Sequence, residues 1–266
     1  MNDVLAFAIK TARRAGQLLN SLQPTFRRSK IKSTHLDLVT RADGLSEKLI
    51  INSITGKFPG HKILAEEQYC NNNSAGYCVG KSDFTWVIDP LDGTTNYSHQ
   101  FPVYCVSIAL VYGDETVLGV VYNPNLDEMF YASTGKGAYL NRKRLKVSKV
   151  RTLGQGLLCT GFPYIIRQKP GDNFLNFQRF CLTAQAVRRA GSAALDLCYL
   201  AAGRFDGFWE RELKPWDTAA GVLIVTEAGG KISDFKGGKY DLFRHREILA
   251  SNGLIHKQMI KIINHR

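Results

Sequence analysis

Three absences narrow the classes of protein that this sequence can encode. No apolar stretch approaches the roughly 18–20 residues that a membrane-spanning helix needs. The six cysteines include no C-x-x-C pair, so we expect reduced thiols packed in the interior rather than a zinc site or a disulfide scaffold. The start of the sequence also lacks the unbroken apolar stretch of a signal peptide, and we therefore expect a soluble, cytoplasmic protein.

The composition is that of a globular chain with an excess of basic residues. Of its 266 residues, 44% are hydrophobic and 22% are charged, which excludes a disordered chain, a coiled coil or a collagen-like repeat. The net charge of +12 indicates an anionic substrate, a nucleic acid or simply a basic surface. Basic residues cluster at 27–32 and, more densely, at 142–151. Neither cluster is interleaved with aromatic residues, so a solvated basic face is the favoured interpretation.

Hydrophobic spacing predicts a helical start to the chain. Apolar residues at helical spacing predict a helix over 4–22 that Pro24 ends. Asp43 is a good N-cap, with Glu47 in the following turn, for a second helix that runs to Lys57. A short strand and an exposed polar loop come next, at 61–65 and 68–83.

From residue 84 onward the pattern changes to strands. A strand over 84–88 is expected to end at Pro90, because proline cannot donate to the ladder. A meander follows, at 103–112, 116–122 and 128–132. Further strands are predicted at 156–160, 231–234 and 248–251, and helices at 172–182, 192–202, 216–228 and 255–263. This order predicts an α/β protein whose N-terminal half, 1–145, and C-terminal half, 146–266, form one catalytic unit.

The most informative motif is Trp-Val-Ile-Asp-Pro-Leu-Asp-Gly-Thr-Thr-Asn at residues 86–96. A strand delivers Asp89 at its end, and the turn at Pro90 lets Asp92 converge on the same point. Two unpaired carboxylates repel one another and raise each other's pKa, and a hard divalent cation such as Mg²⁺ relieves that repulsion. The pair therefore predicts a metal site, against the alternative of a surface turn without a ligand.

A phosphate site is predicted directly beside this metal site. Gly93, Thr94 and Thr95 follow the second aspartate at an expected helix start, where free N–H groups and the positive end of the helix dipole favour a phosphate. Two other acids could complete the site. Taken alone, Glu66 is a surface residue at a strand end, and Asp217 is a helix cap.

Taken together, these stretches resemble the inositol monophosphatase family and, within it, the bacterial SuhB-type enzymes. The matching segments lie in the family's order over nearly the whole chain, at 38–43, 65–67, 86–96, 191–194 and 216–230. The resemblance implies a five-layered α-β-α-β-α sandwich, commonly assembled as a homodimer. It also implies a phosphomonoesterase that hydrolyses myo-inositol-1-phosphate with Mg²⁺ and is inhibited by Li⁺.

The resemblance also assigns roles to individual residues. Two or three Mg²⁺ ions would be held by five residues: Glu66, Asp89, the Leu91 carbonyl, Asp92 and Asp217. Phosphate and substrate would be bound by ten residues: Leu91, Asp92, Gly93, Thr94, Thr95, Arg188, Gly191, Ser192, Glu210 and Asp217. Asp43 would hydrogen-bond to Thr94, which with Glu66 would orient the attacking water. No phospho-enzyme is expected, because a site of two metal ions needs acids rather than a cysteine or histidine nucleophile, and the sequence has no compact Ser/His/Asp set.

Two alternatives to inositol-1-phosphate hydrolysis stay open. The same chemistry could act on another small phosphate ester, such as fructose 1,6-bisphosphate, 3′-phosphoadenosine 5′-phosphate or histidinol phosphate. The resemblance to SuhB-type proteins also implies a transcription antitermination role with RNA polymerase, NusA and the ribosomal RNA leader. The charge of the 142–151 cluster is compatible with that role.

Overall fold

The computed structural model describes residues 2–28, 35–68, 83–163 and 173–265, with side chains throughout these ranges except at 24–28 and 35–40. Its longer helices in these ranges are α1 (Asn2–Arg28), α2 (His35–Lys57), α3 (Thr94–Ser98), α4 (Asn173–Thr183), α5 (Ala193–Ala201), α6 (Pro215–Glu227) and α7 (His256–Asn264). Residues 66–68 are also helical, and Leu153–Gln155 form a short 3-10 helix. None of the described helices is long and apolar enough to cross a membrane.

The first sheet has seven strands in sequence order: β1 (Lys62–Ala65), β2 (Phe84–Asp92), β3 (Cys105–Tyr112), β4 (Glu115–Asn123), β5 (Glu128–Ser133), β6 (Gly137–Leu140) and β7 (Lys143–Arg144). The predicted meander is confirmed. All neighbours pair antiparallel except β1 and β2, which run parallel, so both end at the same edge of the sheet. The central strands are buried on both faces, which explains their nearly continuous apolar runs.

The second sheet has the strand order β11-β12-β10-β8-β9. Its strands are β8 (Leu157–Thr160), β9 (Ala186–Arg188), β10 (Gly207–Arg211), β11 (Lys231–Ser233) and β12 (Glu247–Ser251). Sequence spacing predicted β8, β11 and β12 but missed β9 and β10; β10 is a buried strand of five residues that bears Glu210.

Helices and sheets alternate in five layers, as the family resemblance implied. One apolar cluster joins α1 and α2 to the outer face of the first sheet. A second cluster fills the space between the sheets around α5 and α6. A third lies under α4 and α7 on the far face of the second sheet. All four described cysteines are free, and Cys105, Cys159 and Cys198 are buried, as predicted.

A glycine sets the position of α6 against the first sheet. A Cβ atom on Gly119 of β4 would lie 2.8 Å from the backbone oxygen of Ala220 in α6. Because no side chain intervenes, the helix packs directly on the strands, and the Ser107 hydroxyl of β3 donates to the Trp216 carbonyl at 3.5 Å. This contact fixes the first turn of α6 beside the strands that carry the acidic motif.

Three predicted boundaries are wrong. Helix α1 continues past Pro24 to Arg28, since a proline removes one backbone donor without preventing helix on either side. Helix α2 begins at His35, so Asp43 lies within it and is not its N-cap. Strand β2 continues through Pro90 to Asp92, because a bulge in its pairing with β3 falls between Asp89 and Asp92, where no ladder donor is needed. The predicted loop at 68–83 lies almost entirely outside the described residues.

Candidate active site

Strand β2 presents two aspartates on either side of its bulge. Asp89 is 2% exposed, and one of its carboxylate oxygens accepts the backbone N–H of Leu91 at 3.0 Å. The bulge is tied to helix α2, because the Ser46 hydroxyl donates to the Pro90 carbonyl at 2.9 Å. The sequence predicted that a turn at Pro90 brings the two carboxylates of the motif together. In the structure the bulge does so, at the end of the strand.

Asp92 is held by the N-terminus of α5. Its Oδ2 atom accepts the Ser192 hydroxyl at 2.7 Å and the backbone N–H of Ala194 at 2.8 Å. Burial raises the pKa of Asp92, and these hydrogen bonds partly oppose the rise. Ser192, expected to contact the substrate, is buried in this structure and positions a carboxylate.

Glu66 reaches the same place from the neighbouring strand. It directly follows β1, which ends level with β2 through the pair Ala65 and Ile88. Burial and the charges of Asp217 and Asp92 raise the pKa of Glu66 to about 8, whereas a hydrogen bond with Asp89 lowers it.

Asp217 approaches from the second half of the chain. It lies in the first turn of α6 and accepts the backbone N–H of Lys214 at 2.7 Å, which confirms the capping contact. Burial and then the charge of Asp92 raise its pKa to about 7, opposed by Lys214. Four carboxylates from three elements thus face one another closely enough to perturb each other's protonation.

Asp43 lies behind this group, inside helix α2. It is 3% exposed, and its Oδ1 atom has no hydrogen-bond partner. Burial, followed by the charges of Glu66, Glu67 and Glu47, raises its pKa to about 9. The sequence predicted Glu47 in the first turn of a helix, but it lies in the middle of α2. Its carboxylate accepts the backbone N–H of Glu67 at 2.9 Å and so holds the segment after β1 in place.

The three residues predicted to bind phosphate lie at the start of a helix, as expected. Gly93 has φ +92°, and a Cβ there would lie 2.8 Å from the Val103 carbonyl, so only glycine fits. It precedes the short helix α3, in which Thr94 and Thr95 are the first two residues. The resemblance implied a hydrogen bond between Thr94 and Asp43. In the structure the Thr94 hydroxyl donates instead to the Leu91 carbonyl, at 3.3 Å.

Glu210 of β10 is a further buried acid near the group. Its carboxyl packs directly against the Gly161 backbone, where even a Cβ would clash. Burial raises its pKa well above the ordinary value, as do the charges of Asp196, Asp217 and Asp92, whereas Arg189 lowers it. The arginine whose charge reaches Glu210 is therefore Arg189.

Arg188, the residue predicted to bind substrate, is exposed. Its guanidinium donates to the carbonyl of its own neighbour, Val187, at 3.2 Å. The Gly191 turn beside it is fixed by Asn96, whose amide donates to the Ala190 carbonyl at 2.8 Å and to the Val103 carbonyl at 2.7 Å. The assignment of Arg188 and Gly191 as substrate contacts therefore stays a prediction.

Sequence reasoning missed Asp196 and Asn96. Asp196 is 1% exposed within the apolar helix α5, and its Oδ1 atom has no partner. A lone acid in an otherwise apolar helical run was the signal that could have drawn attention to it. Asn96 belongs to the motif at 86–96, and its role in joining that motif to residue 190 depends on tertiary contacts.

The donor set suits a hard divalent cation. In the ranges that the structure describes, no three His, Cys, Asp or Glu side chains already form a closed set of metal ligands. The four carboxylates nevertheless supply only oxygen donors, and burial and the charges of neighbouring carboxylates raise the pKa values of Glu66, Asp89 and Asp217. Oxygen donors and uncompensated negative charge are what Mg²⁺ requires. The residues therefore fit the ion.

Together, the fold and this group define a five-layered α/β protein with a carboxylate cluster between its two sheets. The whole chain, residues 1–266, matches the inositol monophosphatase family. The inositol-1-monophosphatase of Synechocystis sp. is 45% identical over 260 residues, which cover 96% of this chain and 86% of that protein. The chain therefore belongs to the inositol monophosphatase family.

Other relatives carry a different name or a solved structure. The Nus factor SuhB of Pasteurella multocida is 42% identical, with 98% of this chain and 96% of that protein covered. The structure of an inositol monophosphatase from Anabaena is similar at a TM-score of 0.87 and 39% identity, covering 98% of this chain and 95% of that chain.

Proposed function

We propose that this protein is a Mg²⁺-dependent phosphomonoesterase that hydrolyses myo-inositol-1-phosphate to inositol and phosphate. The observation that carries the proposal is the cluster of Glu66, Asp89, Asp92 and Asp217, whose mutual repulsion a divalent cation would relieve. Membership of the inositol monophosphatase family supports the reaction class. The name of the Synechocystis relative supports the substrate.

The four carboxylates and the Leu91 carbonyl would hold two or three Mg²⁺ ions. When bound, the metal would lower the pKa of a coordinated water and neutralise charge on the phosphate and the leaving oxygen. Glu66 would orient the attacking water and accept its proton.

The remaining residues would bind and orient the ester. Gly93, Thr94 and Thr95 would bind the phosphate with the N–H groups of the α3 start. Glu210 and the Gly191 turn would face the hydroxyl groups of the ring.

The two halves would act as one catalytic unit. Residues 1–145 would supply the motif of β2, and residues 146–266 would supply Asp217, Glu210 and the start of α5. The hydrogen bonds from Ser192 and Ala194 to Asp92 support this division of labour, because they join the halves at a proposed metal ligand.

Phosphate release with and without Mg²⁺ tests the proposal. Inositol-1-phosphate, glycerol-2-phosphate, fructose 1,6-bisphosphate, 3′-phosphoadenosine 5′-phosphate and histidinol phosphate should be compared at equal concentration. We expect the highest kcat/KM for inositol-1-phosphate and loss of activity in EDTA. Full activity in metal-free buffer would refute the metal site, whereas preference for another ester would change only the substrate.

A second candidate function is suggested by the relatives named Nus factor SuhB. By that likeness the chain would join RNA polymerase and NusA at the ribosomal RNA leader, as a homodimer. The two functions are compatible, because a protein-binding surface can lie apart from the carboxylate cluster. Co-purification with RNA polymerase and NusA, together with the mass in solution, tests this candidate.

A further inference from the structure

The connection between β10 and α6 joins two parts of the candidate site. It consists of residues 212–214 and lies between Glu210 of β10 and Asp217 of α6. Glu212 has φ 62°, a left-handed conformation that costs free energy in any residue other than glycine. Such a conformation persists only where neighbouring contacts hold it. Here those contacts come from the β11–β12 loop, residues 234–246.

Two ion pairs bring the β11–β12 loop against this connection. The Arg246 guanidinium lies 3.3 Å from the Glu212 carboxylate, and Arg211 of β10 pairs with Glu247 of β12 at the same distance. Both pairs are partly exposed to solvent, and pairs of this kind contribute little to stability. They therefore set where the loop lies, and a firmer contact has to come from its buried side.

The loop is fixed by its own hydrogen bonds. The Asp241 carboxylate accepts the backbone N–H of Phe243 at 3.0 Å, and His245 Nδ1 accepts the backbone N–H of Asp241 at 3.0 Å. Leu242 anchors the same turn, because its side chain is buried in the apolar cluster between the two sheets. The preceding residue, Tyr240, is thus held in place on the C-terminal side by an ordered turn.

The Tyr240 side chain reaches the residue next to Asp217. Its hydroxyl lies 3.1 Å from the hydroxyl of Thr218, which is completely buried in the first turns of α6. The Thr218 hydroxyl donates to the Lys214 carbonyl at 3.4 Å. Because a threonine hydroxyl has a single proton to donate, the Tyr240 hydroxyl is the donor in its contact with Thr218. The tyrosine therefore supplies the second partner that a buried hydroxyl needs.

The Lys214 peptide completes a chain of hydrogen bonds to the proposed metal ligand. Its N–H donates to Asp217 Oδ2 at 2.7 Å, and its carbonyl accepts the backbone N–H of Asp217 at 3.2 Å. The same carbonyl accepts the Thr218 hydroxyl. The orientation of this one peptide thus determines where the Asp217 carboxylate points, and Tyr240 acts on the peptide from the loop.

We propose that Tyr240 is a positioning residue for Asp217, which it orients through Thr218 and the Lys214 peptide. The proposal rests on the proposed function, in which Asp217 holds Mg²⁺. Tyr240 has no part in binding the ion or the ester itself. A phenylalanine would fill the same space, so the hydroxyl is the group that acts.

Mg²⁺ binding to the full chain tests the proposal without substrate. The Mg²⁺ concentration that gives half of the thermal shift should rise about 2- to 12-fold in Tyr240→Phe, the range for the net loss of one hydrogen bond. Thr218→Val should raise it by a similar factor, whereas Thr218→Ser, which keeps a hydroxyl, should retain the unmodified value. The matched control is Tyr122→Phe, which removes a hydroxyl that donates to Asp127 at 2.8 Å on the α1 side of the first sheet. This control should leave the Mg²⁺ concentration unchanged.

A double variant tests whether the two hydroxyls act through one chain. Tyr240→Phe combined with Thr218→Val should bind Mg²⁺ about as well as either single variant, because both changes break the same series of hydrogen bonds. If Thr218→Val fails to fold, Tyr240→Phe against Tyr122→Phe still decides the proposal.

Hydrogen exchange in EDTA provides a readout that needs no metal. The backbone N–H groups of Lys214 and Asp217 should exchange about 2- to 12-fold faster in Tyr240→Phe than in the unmodified protein, since their hydrogen bonds open more often. Exchange at both positions should be unchanged in Tyr122→Phe.

Three results would overturn the proposal. In the first, Tyr240→Phe lowers the thermal midpoint in EDTA but leaves Mg²⁺ binding and the exchange of Lys214 and Asp217 unchanged, which would make the contact one of packing alone. In the second, the losses of Mg²⁺ affinity in Tyr240→Phe and Thr218→Val add in the double variant. In the third, Mg²⁺ gives no thermal shift even in the unmodified protein, which would refute the metal site and the proposed function as well. Either of the first two results would leave the proposed function standing.

Discussion

Asp43 offers the sharpest test of the electrostatics at the carboxylate cluster. Burial and the neighbouring glutamates raise its pKa from an ordinary 3.8 to about 9, so the folded protein holds a proton there at pH 7 that the unfolded chain has lost. A carboxyl group with a raised folded pKa stabilises the fold below its unfolded pKa, and that stability is lost as pH rises through the folded value. Without metal, the protein should therefore become less stable between pH 7 and pH 9.

The size of the effect follows from the linkage between protonation and folding. A proton held only in the folded state contributes about 1.4 kcal/mol to the free energy of unfolding for each pH unit. Deprotonation of Asp43 alone should thus lower the free energy of unfolding by about 2 kcal/mol between pH 7 and pH 9. Glu66 and Asp217, with pKa values of about 8 and about 7, should add to the loss in the same direction.

Urea unfolding in EDTA at pH 7, 8 and 9, followed by tryptophan fluorescence, measures this loss. Asp43→Asn keeps the shape of the side chain without its proton equilibrium, and should lose about 2 kcal/mol less than the unmodified protein over this range. Asp114→Asn, at an exposed acid in the β3–β4 turn, is the matched control and should behave like the unmodified protein. Equal pH dependence in the Asp43→Asn and unmodified proteins would refute a protonated Asp43.

Millimolar Mg²⁺ provides a second arm of the same experiment. A ligand that binds only the folded state raises the free energy of unfolding, and Mg²⁺ competes with protons for the carboxylates. The stabilisation by Mg²⁺ should therefore be larger at pH 9 than at pH 7. A stabilisation that is independent of pH would place the ion away from these carboxylates.

Other sites give further expectations. Glu66→Gln should lower turnover by about 10²–10⁴-fold, the usual cost of losing a positioned base, and Glu67→Gln should have a milder effect. If a phosphate-release assay gives the reverse order, Glu67 and not Glu66 faces the reacting water. Asp217→Asn can still cap α6 and should remain folded, but should lose both catalysis and the thermal shift by Mg²⁺; a retained thermal shift would exclude it from the metal site. Li⁺ at tens of millimolar should inhibit phosphate release, and insensitivity would count against the second metal position. His256, whose pKa burial lowers to about 4, should destabilise the protein by up to ~3 kcal/mol as pH falls from 6.5 to 4, and His256→Asn should remove most of this loss in acid urea titrations.

The elements that could be predicted from sequence are those in which local pattern and tertiary burial agree. The meander strands are apolar along their length and bounded by turn residues, and they form as expected. Asp43 shows the opposite case. By local rules an aspartate before an apolar helical run is an N-cap, but the helix begins eight residues earlier, at His35, and buries the carboxylate behind the cluster.

Parts of the candidate site depend on contacts that no local pattern contains. The motif indicated that Asp89 and Asp92 converge, but a bulge brings them together rather than the end of a strand at Pro90. Ser192 looked like a residue that faces the substrate, yet its hydroxyl lies 2.7 Å from Asp92, one hundred residues away in the chain.

The connections around Asp92 explain why such a repulsive cluster can exist in a folded protein. Ser192 and Ala194 at the start of α5 donate to Asp92, and the Lys214 N–H just before α6 donates to Asp217. Among the described residues, backbone and hydroxyl dipoles thus contact these two carboxylates, and no cationic side chain forms an ion pair with them. A lysine or arginine bonded to the cluster would neutralise it permanently and occupy the place of a metal. Dipoles compensate only part of the charge, which keeps the helices in position and leaves the remaining charge free to attract a cation. The fold can therefore hold these carboxylates together, and their remaining negative charge is what the proposed metal ion would neutralise.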